Sequence, residues 1–113
     1  MSGVRRLAGQ LRRAAGTLRG DGARRVPVRD VWLAHEHYGG QRIATAGVVR
    51  CFESGTPDEY FTLDDGQQRI GLRGDAALLR AHVDRRVRVT GVVTFKPGVG
   101  IFLEAERVRP DDG

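Results

Sequence analysis

The sequence predicts an all-β domain, a small five-stranded Greek-key barrel, and three observations carry that prediction. Five stretches are rich in β-branched or alternating apolar residues and are set off by Gly, Pro and Asp turn signals. A single helical stretch interrupts them, between the third and the fourth. Finally, Ile43-x-Thr45-x-Gly47-Val48-Val49 recurs from position 87 as Val87-x-Val89-x-Gly91-Val92-Val93. That repeat puts a mid-strand glycine in the first and fourth strands, where a small barrel needs a bend or a bulge to close. At 113 residues the chain has the size of one domain, and a fold of this length buries roughly 65% of the surface its unfolded chain exposes.

The elements follow in order. Residues 1–26 read as a basic arm and linker, in which Val4, Leu7, Leu11, Ala14 and Leu18 form one helical stripe flanked by Arg5, Arg6, Arg12, Arg13 and Arg19. Gly9 and Gly16 each weaken such a helix by about 1 kcal/mol relative to alanine. Gly20 to Arg25 reads as a flexible linker. Pro27 suits the start of a short helix over 28–38, with Val28, Val31 and Trp32 on its buried side and Gly39-Gly40 closing it. The strands are expected at 41–52, 59–63, 68–73, 86–95 and 101–108, with Asp64-Asp65-Gly66 turning the second into the third. Asp75 caps a helix over 76–82 that faces Ala76, Leu79 and Val83 inward. The barrel spans 27–110, and 111–113 is a polar tail.

Three strands, a helix and two strands is the order of the five-stranded barrel called the OB-fold. The stretch Val31-x-x-x-x-x-x-Tyr38-x-Gly40-Gln41-x-Ile43-x-Thr45-x-Gly47-Val48-Val49, followed by Tyr60-Phe61-x-Leu63-x-Asp65-Gly66, also resembles the bacterial OB-fold proteins of the tRNA-anticodon-binding-like group. The resemblance covers about residues 28–108 and leaves the arm outside it. It implies the barrel, and a group whose members include nucleic-acid binders and periplasmic stress proteins. The export signal of the periplasmic members has no counterpart here, because the N-terminus lacks an apolar stretch of signal length.

Charge is distributed unevenly. Residues 1–29 hold eight arginines against Asp21, a balance of +7, whereas 30–113 hold eleven basic and thirteen acidic side chains, a balance of −2. Four readings fit the arm: a solvated tail, a nucleic-acid-binding arm, a helix that docks a partner, a second copy or an anionic membrane, and an organellar presequence. The one cysteine, Cys51, excludes an internal disulfide, and no apolar run reaches the 18 or so residues that span a bilayer, so a reducing cytoplasmic setting is expected.

Period-two alternation divides the strands into faces. Ile43, Thr45, Gly47, Val49, Cys51, Phe61, Leu63, Ile70 and Leu72 are expected inside, as are Trp32 and Phe95. Val48, Arg50, Phe52, Tyr60, Thr62, Arg69, Gly71 and Arg73 are then outside. Aromatics and arginines on one sheet face suit a single-stranded nucleic acid, since bases stack on rings and cations meet phosphates. The candidate binding residues are therefore Arg50, Phe52, Tyr60, Thr62, Arg69, Arg73 and Lys96, joined by Arg5, Arg6, Arg12 and Arg13 of the arm. Packing under a loop for the aromatics, and a salt-bridged surface for the arginines, are the competing explanations. Glu53, Asp58, Glu59, Asp64 and Asp65 lie near the same face and would repel phosphate.

Catalysis finds no support in the residues. His35-x-His37 lacks a third metal ligand, Cys51 has no activating base nearby, and Gly98-Val99-Gly100 lacks the Gly-Lys of a phosphate-binding loop. No cofactor, metal ligand or catalytic residue is assigned. Single-stranded DNA or RNA is the expected partner; a protein-interaction module with a docking arm is the alternative.

Overall fold

A computed structural model of the protein describes residues 23–111. The arm with its stripe at Val4, Leu7, Leu11, Ala14 and Leu18 and its candidate contacts Arg5, Arg6, Arg12 and Arg13 lies outside the described residues. The elements are β1 (Arg24–Arg25), α1 (Val28–Leu33), α2 (His35–Tyr38), β2 (Arg42–Phe52), β3 (Tyr60–Asp64), β4 (Arg69–Arg73), α3 (Ala76–Arg80), β5 (Arg86–Lys96) and β6 (Gly100–Pro110).

Strands β2, β3, β4, β6 and β5 pair in that order, and β5 returns to β2, so the sheet closes on itself. All of these pairings are antiparallel except β4 with β6. Closure removes the free edges that an open sheet would present. It depends on β2 serving two partners: residues 42–48 pair with β5 and 48–52 with β3. At the changeover sits Gly47, where a Cβ would stand 2.8 Å from the Asp64 carbonyl oxygen and 3.1 Å from Leu63 Cγ. The matching glycine on β5, Gly91, lies so close to the Glu104 carbonyl that a Cβ would collide with it, and the register slips there between Thr90 and Gly91. In the closed barrel the two repeats face each other, with Thr45 against Val89, Ile43 against Gly91 and Gly47 against Val87.

The interior is aliphatic. Ile43, Val49, Leu63, Val87, Val89 and Leu103 are fully buried, with Ile70, Leu72, Val93 and Ile101 beside them. Val28 and Val31 of α1 and Leu79 of α3 add apolar side chains from the helices to the same core. Asp75 caps α3 through its Oδ1, which accepts from the Ala77 and Leu78 amides at 2.9 and 3.2 Å. The chain after α3 latches onto β2: Asp84 donates its amide to the Val49 carbonyl at 2.7 Å, and the Val49 amide donates to Arg85 at 3.2 Å.

Several details depart from expectation. The helix over 28–38 is two short helices broken at Ala34, whose φ and ψ of −121° and 40° are not helical. Trp32, expected in the core, is 43% exposed, because Val28 and Val31 already occupy the inward face of a six-residue helix. Phe95 was expected to follow the inward alternation of Val89 and Val93; it lies at the end of β5, 39% exposed, with its ring 4.3 Å from that of His35. Leu79 faces inward as expected, but Ala76, also expected inward, is exposed at the start of the five-residue α3. Cys51 is half-buried against the core. Arg24 and Arg25, read as linker, pair with Ile43 and Ala44, and Val26 behind them is buried. Asp111, read as tail, is anchored by its amide to the Arg86 carbonyl at 3.1 Å.

Candidate nucleic-acid interface

The register of β2 and β3 sets Phe52 opposite Tyr60. Residues directly opposite on one sheet face bring their side chains into contact. The two rings stack at 5.1 Å between centroids and 17° between planes, and the Arg69 guanidinium lies 5.3 Å from the centre of the Phe52 ring. Tyr60 is 52% exposed. A flat aromatic surface with a cation over it is thus presented to solvent, and three residues expected to share a face do share it.

The adjoining row across β3, β4 and β6 is Thr62, Gly71 and Phe102. A Cβ at Gly71 would run into the Phe102 ring, so this glycine lets the ring lie flat across β4. Over the ring sits Arg73, its guanidinium carbon 3.8 Å from the ring centroid and its Nη1 3.4 Å from Glu104 Oε2. Thr62, Gly71, Arg73 and Phe102 line an open groove of about 650 Å³, whose wall also includes Glu59, Tyr60, Trp32, Val99 of the β5–β6 loop and Gly100. Thr62 forms part of the lining; it is outward as expected but covered by its neighbours, and its Oγ1 is buried without a hydrogen-bond partner among the described residues.

Phe52 reaches the groove only through its stack on Tyr60, and two further predicted residues stand apart from it. Arg50 occupies the row of Thr62, yet its guanidinium is bound to Asp84 at 2.7 Å. Lys96 is exposed at the end of β5 and does not line the groove, although Val99 and Gly100 from the same loop do. Phe102 and Trp32 were missed as groove residues. Alternation from the inward Ile101 and Leu103 was enough to place Phe102 outside; Trp32 had no such signal.

The acidic residues are largely engaged elsewhere. Arg80 binds Glu59 at 2.8 Å, Asp64 accepts from the Gly66 amide at 2.7 Å, and Asp65 accepts from the Gln67 and Gln68 amides at 2.8 Å each. Hydrogen bonding by Arg80 holds the Glu59 carboxyl below its usual range against the opposing effect of desolvation, with the Gly55 amide and the Cys51 thiol also donating to it. A carboxyl whose pKa is lowered on folding stabilises the fold above its ordinary value of about 4.5, and that contribution is lost as the pH falls through the folded value. Thermal melting followed from pH 7 to pH 3 should therefore show a smaller acid loss in Glu59→Gln than in the wild type. Equal acid losses would mean that the Arg80 pair contributes nothing.

No protein-family model matches the chain, and no curated protein matches it. Solved structures do. RecG bound to a three-way DNA junction superposes with a TM-score of 0.60 at 19% identity; the match covers 80% of this chain and only 13% of RecG. The Stn1-Ten1 complex of S. pombe gives 0.55 at 16% identity, covering 85% of this chain and 83% of the other. An OBody bound to hen egg-white lysozyme gives 0.51 at 12% identity, covering 68% and 84%. At these identities the likeness is one of fold, and the fold is that of a small OB-type barrel.

Proposed function

We propose that the protein is a non-enzymatic OB-fold module of the tRNA-anticodon-binding-like group that binds single-stranded DNA or RNA in the cytoplasm. The observation that carries this reading is the stacked Phe52–Tyr60 pair under Arg69, beside the Phe102–Arg73 pair, all on one open face. Ring faces accept any base, and guanidiniums placed over them meet the phosphates between successive bases. Arg5, Arg6, Arg12 and Arg13 of the arm would add phosphate contacts, and Arg50 and Lys96, which lie off the groove, would join only at a longer strand's ends. RecG, which shares the barrel, was solved on a DNA junction.

A second reading is a protein-docking module. It draws on the OBody, which shares the fold and was solved bound to a protein, and on the pairing of Stn1 with Ten1. Fluorescence anisotropy of a labelled 20-mer single strand with the full chain, at two salt concentrations, separates the readings. Strand binding is expected to weaken with salt at a slope near −0.7 per neutralised phosphate. Absence of binding at low salt, or binding indifferent to salt, would refute the nucleic-acid reading.

A further inference from the structure

Beyond the groove, β6 continues past the register slip, and its outward residues change from Phe102 to Arg107 and Arg109. On β5 these two stand opposite Thr90 and Arg88. The rows extend through β2, where Ala44 pairs with Thr90 and Ala46 with Arg88, and on to Arg25 of β1, which pairs with Ala44. The outer surface of β1, β2, β5 and β6 thus carries arginines at its edges over a floor of small residues. At the β1 side of that floor lies a hollow of about 400 Å³, lined by Arg25, Val26, Pro27, Ala44, Ala46 and Arg86, with the acidic Asp65 also in its wall; Arg88, Arg107 and Arg109 lie outside it.

Counter-charge is scarce on this surface. Asp111 is bound to Arg86 at 3.1 Å and to Arg88 at 3.6 Å, and Glu106 is held by Arg42 through two contacts of 2.7 and 3.0 Å. Arg25, Arg107 and Arg109 form no ion pair among the described residues. Arg109 is placed directly opposite Arg88, an arrangement of like charges that destabilises a sheet. The Nε of Arg88 is also buried without an acceptor. The segment before residue 23, with five arginines and one acid, joins the barrel at β1, beside this surface.

We propose that this face is a second nucleic-acid contact that receives sugar-phosphate backbone without reading bases. Its chemistry fits a polyanion in three respects: guanidinium charge lacking partners, a repulsive cross-strand pair that an anion would relieve, and no aromatic side chain on which a base could stack. The identity of the polyanion as nucleic acid rests on the strand-binding reading; the face itself does not. A strand held in the groove would reach it along β6, which carries Phe102 in the groove and Arg107 and Arg109 on this face.

The test uses the full chain, Arg107→Gln/Arg109→Gln, Arg107→Lys/Arg109→Lys and Tyr60→Ala, with two probes: a labelled 20-mer single strand, and inorganic polyphosphate, which offers phosphate charge without bases. The glutamine pair is expected to make the salt slope on the strand shallower by about 1.4, two contacts at about 0.7 each, and to weaken polyphosphate binding. The lysine pair should restore both, and Tyr60→Ala should weaken the strand while leaving polyphosphate unchanged. Unaltered slope and polyphosphate affinity in the glutamine pair would overturn the proposal. Polyphosphate binding that is sensitive to the glutamine pair, in a wild type that binds no strand, would leave a polyanion-binding face but overturn its assignment to nucleic acid, together with the groove reading. Failure of both probes to bind the wild type would remove both.

Discussion

Replacing Phe52 and Tyr60 together by alanine is expected to weaken single-strand binding by at least about 30-fold. Each base stacked on an aromatic side chain contributes roughly 1–3 kcal/mol, and two such losses at the lower figure give that factor. The single variants should not divide this loss evenly. Phe52 is stacked on Tyr60 and also lies under Arg69, so Phe52→Ala removes a base platform, loosens the Tyr60 ring and frees the guanidinium that would meet phosphate. Groups in mutual contact are non-additive. Phe52→Ala alone should therefore approach the double variant, with Tyr60→Ala intermediate. Anisotropy of a labelled 20-mer across the three variants, alongside thermal melting, makes the comparison. A double variant that binds as tightly as the wild type would exclude this face as the site.

Leu103→Ala is expected to have the largest effect on stability. Leu103 is fully buried on β6, flanked by Leu72 of β4 and Val93 of β5, so its side chain fills the barrel where the parallel and antiparallel pairings meet. Truncating a buried leucine to alanine costs about 2–5 kcal/mol, a large share of the 5–15 kcal/mol that typically holds a domain together. At roughly 4 °C or more per kcal/mol for a domain near this size, the melting temperature should fall by about 10 °C or more. Leu33→Ala supplies the contrast. Leu33 is 71% exposed on α1, so the same chemical change there should stay within about 0.5 kcal/mol. Equal melting of Leu103→Ala and the wild type would mean that this interior is wrongly assigned.

How far the sequence could be read depended on the range of the forces involved. Alternation placed Ile43, Val49, Leu63, Ile70 and Leu72 inside because a strand with one buried face repeats every two residues whatever its partners are. Gly47 and Gly91 stood out for a related reason: only close backbone approach makes a mid-strand glycine useful, and both are places of close approach. Phe95 escaped the rule because β5 runs past the core, and period alone does not say where a core ends. Trp32 escaped it because two valines satisfy a short helix, leaving no inward place for a larger ring. The candidate site was legible where Phe52, Tyr60 and Arg69 share a face, and not in Phe102, Trp32 or the ion pairs of its arginines. Phe52, Tyr60 and Arg69 come from strands adjacent in sequence, whereas the partners of Arg50 and Arg73 are Asp84 and Glu104, each some thirty positions away across pairings that composition does not reveal.

The seam between β2 and β5 also governs how this chain finds its shape. The β3–β4 hairpin joins neighbours through a short turn, Phe61 with Leu72 and Asp64 with Arg69. By contrast, the seam couples Arg42 to Val92 and Val48 to Arg86, so closing it confines the whole intervening chain at once. The entropy of that large loop is lost before most of the aliphatic interior is sealed, which places the entropic barrier at closure of the ring rather than at formation of any one strand. A fast local hairpin followed by a slow final zipping of β2 against β5 is the expected order, with closure of the ring as the limiting step.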